Sequence, residues 1–190
     1  MIFVGKNVET LTGYYREERG WGDIDVTDVD RLLRPDLPLP PIKIVLSALL
    51  GRQVVSIDYR SKNSDSPLTR SVSPNHLVFA DDRYHIRAYC HWREAFRDFV
   101  LSRISHAKLT DEDWVPSNED WEWKYSVTLR FRPNPKLPES VREAILQSHQ
   151  GTEAGCRIIK CKKALSFYIK RKLAETPDPR HGVPLWEWVP

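Results

Sequence analysis

The sequence lacks the features that would place it in a membrane or in an oxidising compartment. It contains three cysteines, an odd number, and Cys156 and Cys161 do not have the paired spacing of a zinc site. No apolar run approaches the length of a membrane span or of a signal-peptide core. We therefore expect a cytoplasmic protein with ordinary half-buried thiols, without a metal and without membrane contact.

The motifs of common enzyme classes are also missing. There is no G-x-S-x-G, no H-E-x-x-H and no glycine-rich phosphate loop. A remote alternative is a metal-dependent nuclease cluster drawn from His76, His85, His91, Asp81, Asp82 and Asp98. Aspartates at a turn usually serve the turn, so we predict no catalytic residue and no cofactor.

What the chain does contain is enough apolar surface for a core and an uneven distribution of charge. It has 190 residues, of which 41% are hydrophobic, and seven tryptophans, which suits one large domain or two small ones. The formal net charge is +3, but residues 42–110 alone carry an excess of five positive charges. This distribution indicates a local anionic partner rather than a generally basic protein.

Four segments are predicted along the chain. Residues 1–41 form an acidic, irregular arm that ends in the proline-rich linker "RPDLPLPP", with a short helix at "TDVDRLL" capped by Thr27. In residues 42–110 an amphipathic helix, "IKIVLSALLGRQ", precedes four or five strands, a pattern that predicts a small antiparallel barrel or a strongly bent sheet. Residues 111–124, called the connector below, are acidic and tryptophan-rich. A strand-helix-strand-helix pattern in residues 125–190 predicts a separate small α/β module.

The strand "RYHIRAYC" places positive charge on a rigid surface. Because side chains alternate along a strand, Tyr84, Ile86, Ala88 and Cys90 are expected in the core, and Arg83, His85, Arg87 and Tyr89 on the other face. Guanidinium groups match phosphates and aromatic rings stack on bases, which favours an anionic ligand. The alternative is that these arginines are solvated or form structural pairs, such as Arg97 with Asp98 or Asp58.

The run "LTRSVSPNHLVFADDRYHIRAYCHWREAFRDFVLSRI" resembles the WYL domain, particularly that of BrxR/CapW-like regulators found with phage-defence systems. Residues 125–175 resemble the C-terminal extension that follows such domains. The resemblance implies an α+β protein in which a small SH3-like (Sm-like) antiparallel β-barrel is followed by a small α/β dimerisation domain. It also implies a homodimer and a basic pocket for a short single-stranded nucleic acid or a nucleotide.

The candidate ligand-binding residues combine the motif positions with the strand alternation, which adds Tyr89 and Phe99. They are Tyr59, Ser61, Arg70, Ser73, His76, His85, Arg87, Tyr89, Arg97, Phe99 and Arg103. Arg87 and Arg97 are expected to clamp a phosphate, while Lys162 is expected to lie away from the pocket.

Regulators of this family begin with a winged helix-turn-helix, which residues 1–41 are too short and too proline-rich to hold. We therefore expect the ligand-sensing and dimerising part of a transcriptional regulator, which binds operator DNA only when a helix-turn-helix is supplied. The alternative is a stand-alone accessory protein that binds single-stranded nucleic acid or docks on a defence effector.

Overall fold

Helix α1, Leu39–Gly51, is the first helix of the described residues. The structure is a computed structural model and describes residues 36–62, 66–149 and 152–190. The predicted arm, including the helix near Thr27, therefore lies outside the described residues. Helix α1 begins earlier than predicted because Pro40 and Pro41 lie in its first turn, where the missing N–H groups have no helical partner to lose.

The first sheet has five antiparallel strands in the order β4-β3-β2-β1-β5. Their bounds are β1 Val54–Tyr59, β2 Leu68–Ala80, β3 Arg83–Cys90, β4 Ala95–Val100 and β5 Ile104–Thr110. Strands β4 and β5 are the two edges, so the sheet is not closed. The mixed α and β composition agrees with expectation, whereas the closed SH3-like barrel does not appear.

Two local features direct the chain through this sheet. Asp81 and Asp82 both have positive φ, 50° and 59°, and form the predicted turn between β2 and β3. The segment predicted as one long strand after this hairpin is broken by a 3-10 turn at Leu101–Arg103. As a result β4 pairs with β3, while β5 crosses to the far edge and pairs with β1.

One face of the sheet packs against α1 and forms the first core. Its members include Ile42, Val45, Val55, Ile57, Val72, Ile86 and Leu101. The helix contributes the side chains at i and i+3 that the sequence periodicity predicts. This packing leaves the opposite face of β2 and β3 to be covered by another part of the chain.

The second sheet has four antiparallel strands in the order β7-β8-β6-β9. Between the sheets, the connector forms a 3-10 turn at Ser117–Glu119 and the short helix α2. The remaining bounds are α2 Trp121–Lys124, β6 Ser126–Pro133, α3 Glu139–Gln147, β7 Thr152–Glu153, β8 Cys156–Lys162, α4 Ser166–Lys170 and β9 Trp186–Val189. The predicted last helix is divided, since a 3-10 turn precedes α4 and a π turn, Arg171–Glu175, follows it.

A second core lies against this sheet, and its largest fully buried side chain is Phe131. Ile169 and Leu173 pack against this core. The apolar side chains of this segment are therefore covered, at least in part, by their own chain. Residues Leu37–Pro190 form one compact unit that holds both sheets.

The described helices include none with the length and apolar character needed to span a bilayer.

Candidate ligand-binding site

The side of β2 and β3 that faces away from α1 carries a set of polar residues, called the polar face here. Cross-strand pairs place His76 opposite Arg87 and Ser73 opposite Tyr89, and His85 lies on the same side of β3. The predicted alternation is confirmed, since Ile86, Ala88 and Cys90 are core residues. His85 and Arg87 are buried as well, which the sequence did not indicate.

Arg87 is the centre of a network of carboxylates. Its Nε and Nη2 donate to the two oxygens of Asp120, at 2.6 and 2.9 Å, in a bidentate fork. Nη2 also donates to Glu122 at 3.0 Å, and Nη1 lies 3.4 Å from Asp98. Arg87 is 5% exposed and Asp120 is 1% exposed, so the pair is protected from solvent.

The charges around Arg87 keep it ionised. Burial acts against the charge, but the hydrogen bonds that Arg87 donates to Asp120 and the negative charge of Asp98 hold the pKa of Arg87 above its ordinary value. Asp98 is fixed from its other side by the Tyr168 hydroxyl, which donates at 2.7 Å. Burial and this hydrogen bond raise the pKa of Tyr168. One guanidinium therefore faces three carboxylates drawn from β4 and from the connector.

The connector also places an aromatic ring on the polar face. The indole of Trp123 stacks on the imidazole of His76, with ring centroids 3.9 Å apart and planes 13° apart. Asp120 supports this arrangement because it caps α2 and accepts from the Trp123 N–H. Burial lowers the pKa of His76, which favours the neutral ring, and His76 Nε2 is buried without a hydrogen-bond partner.

A cavity of about 370 Å³ lies beside this stack. Arg52, Asn75, His76, Trp114, Ser117 and Asn118 line it together with Leu49 and Pro116. The lining includes an arginine and a histidine but no carboxylate. It is therefore a suitable approach to the polar face for an anionic molecule.

His85 is held between the two halves of the chain. Its Nε2 donates to the Ala80 carbonyl at 3.1 Å, and its ring contacts that of Tyr168 edge-on at 5.2 Å. Burial lowers the pKa of His85, an effect that the Ala80 hydrogen bond and the charge of Asp98 oppose. His85 Nδ1 is buried without a partner, so a neutral ring is favoured there too.

The structure does not bring all predicted site residues to one place. Arg97 lies opposite Ala88, on the side of the sheet that carries the first core, so Arg87 and Arg97 cannot clamp one phosphate together. Tyr59 and Phe99 are core residues that pack edge-on against each other, with ring centroids 5.1 Å apart. In this conformation neither ring is open to a base.

The other predicted site residues either contact neighbouring groups or lie outside the strands. Ser73 is buried and contacts both His91 and the Val115 N–H. Arg70 lies over the Trp92 ring at 4.6 Å. Tyr89 lies edge-on to Phe96 and to His91. Ser61 follows β1, and Arg103 lies in the 3-10 turn before β5.

Sequence reasoning missed Asp120, Glu122, Trp123 and Tyr168. The available signal was complementarity, because an acidic, tryptophan-rich connector follows directly after a basic sheet. Burial is the main cause of the lowered pKa of His76, and the positive charge of Lys162, in β8 of the second sheet, acts in the same direction.

A metal centre is not assembled in residues 36–62, 66–149 or 152–190. No group of three or more His, Cys, Asp or Glu side chains there is arranged to hold an ion. In the proposed nuclease set, Asp98 is already engaged by Arg87 and Tyr168, and His85 by a backbone carbonyl.

Comparison with known proteins identifies the two halves of the chain. Residues 42–109 match the WYL domain, and residues 126–186 match the C-terminal dimerization domain of the BrxR transcriptional regulator. A protein of Pseudomonas aeruginosa described as DNA-binding transcriptional repressor CapW is 31% identical over 80% of this chain and 50% of its own length. The CapW repressor of Escherichia coli strain KTE188 is 30% identical over 87% of this chain and 54% of its own length.

Among solved structures, proteasome accessory factor B/C of Arthrobacter aurescens gives a TM-score of 0.38 at 13% identity, over 88% of this chain and 25% of that one. The chain spans about half the length of the curated relatives that it matches. The family matches lie on the first and second sheets respectively, and the connector falls between them. Residues 42–109 are thus similar to a WYL domain, and residues 126–186 to the C-terminal dimerization domain of BrxR.

Proposed function

We propose that this chain is the ligand-sensing and dimerising part of a transcriptional regulator. The observation that carries the proposal is the Arg87 network, in which a WYL-domain cation is held by the connector that leads into the dimerization domain. A ligand that binds this cation would act directly on the segment that joins sensor to dimer. The relatives' description as DNA-binding repressors supports operator DNA as the target of the whole regulator.

The ligand that we propose is a short single-stranded nucleic acid or a nucleotide, and the proposed target is a phage-defence operon. Arg87 offers a guanidinium fork for phosphate, and His76, His85 and Tyr89 offer planar rings and hydrogen-bonding edges on the same face. In the described conformation the acidic connector contacts Arg87 and His76, so a ligand can bind there only when the connector moves away.

Binding of a labelled, 5′-phosphorylated oligothymidylate at two salt concentrations tests this proposal. We expect salt-sensitive binding that weakens at least about tenfold in Arg87→Gln, because a charge-assisted bidentate contact is lost. Arg97→Gln should weaken it less, since Arg97 lies on the other side of the sheet. Arg130→Gln, an exposed arginine of β6, is the matched control.

Circular dichroism and the urea midpoint establish that each variant is folded before its affinity is compared. Equal affinities for Arg87→Gln and Arg130→Gln would contradict the proposal, because the polar face would then have no part in binding.

A further inference from the structure

We propose that Asp120, Glu122 and Trp123 form an internal substitute for the ligand, and that this substitute defines the ligand as a nucleotide unit. Its phosphate would replace the two carboxylates on Arg87, and its base would replace the indole on His76. This inference rests on the proposed function, and it adds the location of each ligand group and the segment that the ligand displaces.

The contacts at Arg87 are those that a phosphate would make. Asp120 accepts two parallel N–H···O hydrogen bonds from Arg87 at 2.6 and 2.9 Å, and Glu122 accepts a third at 3.0 Å. A phosphate group also presents several oxygens within one small volume, and guanidinium groups bind phosphate and carboxylate with the same fork geometry. The donors of Arg87 can therefore exchange one set of oxygens for the other.

The charges match as well. Asp120 and Glu122 together carry two negative charges, and a terminal phosphate carries about 1.5 to 2 near pH 7. The exchange leaves the balance around Arg87 nearly unchanged, with Asp98 still in place. One carboxylate would be enough to attract the connector to Arg87. The second carboxylate is that of Glu122, whose side chain is 36% exposed, so we expect it to leave Arg87 first.

The aromatic contact completes the resemblance. Trp123 lies flat on His76 at 3.9 Å, as a base lies on an aromatic side chain. His76 and Arg87 are opposite each other on β2 and β3, so the phosphate-like and base-like contacts are neighbours on the sheet and a single nucleotide can replace both. The cavity beside His76, with Arg52 and Asn75 in its lining, gives the ligand a path to this position.

Displacement of this substitute would release the connector from the first sheet. Asp120 also caps α2, so its departure from Arg87 frees the turn that begins the second half of the chain. The ligand thereby acts on the segment that leads into the dimerization domain.

The test removes the internal competitor. Glu122→Gln and Asp120→Asn keep the shape of each side chain and remove its charge, and Glu119→Gln removes an exposed charge from the same connector as a matched control. The probe is a labelled, 5′-phosphorylated oligothymidylate. We expect Glu122→Gln to bind it several-fold more tightly and Asp120→Asn about tenfold more tightly than the unmodified chain, since a competitor worth one charged hydrogen bond is lost. Glu119→Gln should equal the unmodified chain.

Hydrogen exchange provides the second measurement. Saturating probe should raise amide exchange in residues 111–124 of the unmodified chain. If Asp120→Asn does not fold, Glu122→Gln retains the test, because it changes a side chain that is 36% exposed. Binding with unchanged connector exchange and no gain in Glu122→Gln would overturn the internal substitute and leave the proposed function standing. No binding by either the unmodified chain or the folded acidic variants would overturn both.

Discussion

Arg87 is a buried cation whose guanidinium nitrogens all face carboxylates. We therefore expect it to stabilise the fold whether or not a ligand is bound. Ion pairs of this kind are expensive to break on one side, because the remaining charge stays buried without a partner. Asp120 is in that position, since it is more deeply buried than Arg87. A loss of ligand binding in an Arg87 variant has meaning only when the fold is shown to be intact.

We predict that Arg87→Met lowers the free energy of unfolding by about 3–5 kcal/mol, because Asp120 is left buried and unpaired. The double variant Arg87→Met/Asp120→Leu should regain much of this loss, because it removes both charges. Urea unfolding followed by fluorescence measures all three proteins.

Arg97→Met is the control for this prediction, since Arg97 is exposed on edge strand β4, and its effect should stay within about 0.5 kcal/mol. An Arg87→Met variant as stable as Arg97→Met would show that the network contributes nothing to the fold.

At the residue scale, the sequence predicts which side chains share a strand face, but it does not predict which residues cover that face. Alternation along β3 correctly separated Ile86 from Arg87 because the two-residue period is local. It could not show that Asp120, 33 positions later, would meet Arg87, since that contact depends on the tertiary path of the connector. The wrong pairing of Arg87 with Arg97 has the same origin, because the register of β4 decides the side on which Arg97 lies.

Strand β9 shows how an element at the end of the chain completes a core. It pairs with β6, and Trp186 belongs to the second core together with Phe131. Trp188 lies two positions later, on the same face of β9, but it is 40% exposed, and the Lys170 ammonium lies over its ring at 3.2 Å. Trp186, 2% exposed, therefore belongs to the interior of its own chain.

We predict that Trp186→Ala lowers the free energy of unfolding by about 3–5 kcal/mol, as expected for removal of a large buried aromatic side chain. Trp188→Ala, which truncates a tryptophan that is 40% exposed, should cost less than about 1 kcal/mol. Urea unfolding midpoints compare the two variants. Equal losses of the free energy of unfolding would contradict the deeper burial of Trp186.

At the element scale, strands were easier to predict than the ends of helices. The bounds of β3 agree with the pattern "RYHIRAYC", because its alternation is regular and turns flank it. The predicted helix begins at Ile42, whereas α1 begins at Leu39. The difference arises because prolines usually interrupt a helix but are tolerated in its first turn. The break at Leu101–Arg103 has no clear signal in the sequence, and the uninterrupted strand that the sequence predicts there favours a closed sheet.

At the scale of the whole chain, a WYL-domain match is followed by a match to a C-terminal dimerization domain, and the second match supports a homodimer. Phe167 is 57% exposed in the matched dimerization segment, and Trp92 is equally exposed in the WYL domain. The two side chains therefore offer a comparison between the halves of the chain. The domain boundaries at 41/42, 110/111 and 124/125 stay predictions.

We predict that the chain has twice its 22.2 kDa mass in light scattering at micromolar concentration. Phe167→Glu should shift it toward the monomer, because a charge is placed on an exposed apolar surface of the dimerization segment, and Trp92→Glu should not. A monomer in the unmodified chain would contradict the homodimer, and equal effects of the two variants would move the interface away from Phe167.

The position of the connector between the two family matches has a consequence for hybrid regulators. Asp120 and Glu122 lie outside the WYL match by sequence, yet they neutralise its buried arginine. A hybrid joined at residue 110 would give one parent's arginine to another parent's acids, whereas a junction after residue 124 keeps them together. Exchange of WYL domains among relatives should therefore succeed more often when these fourteen residues are inherited with the domain.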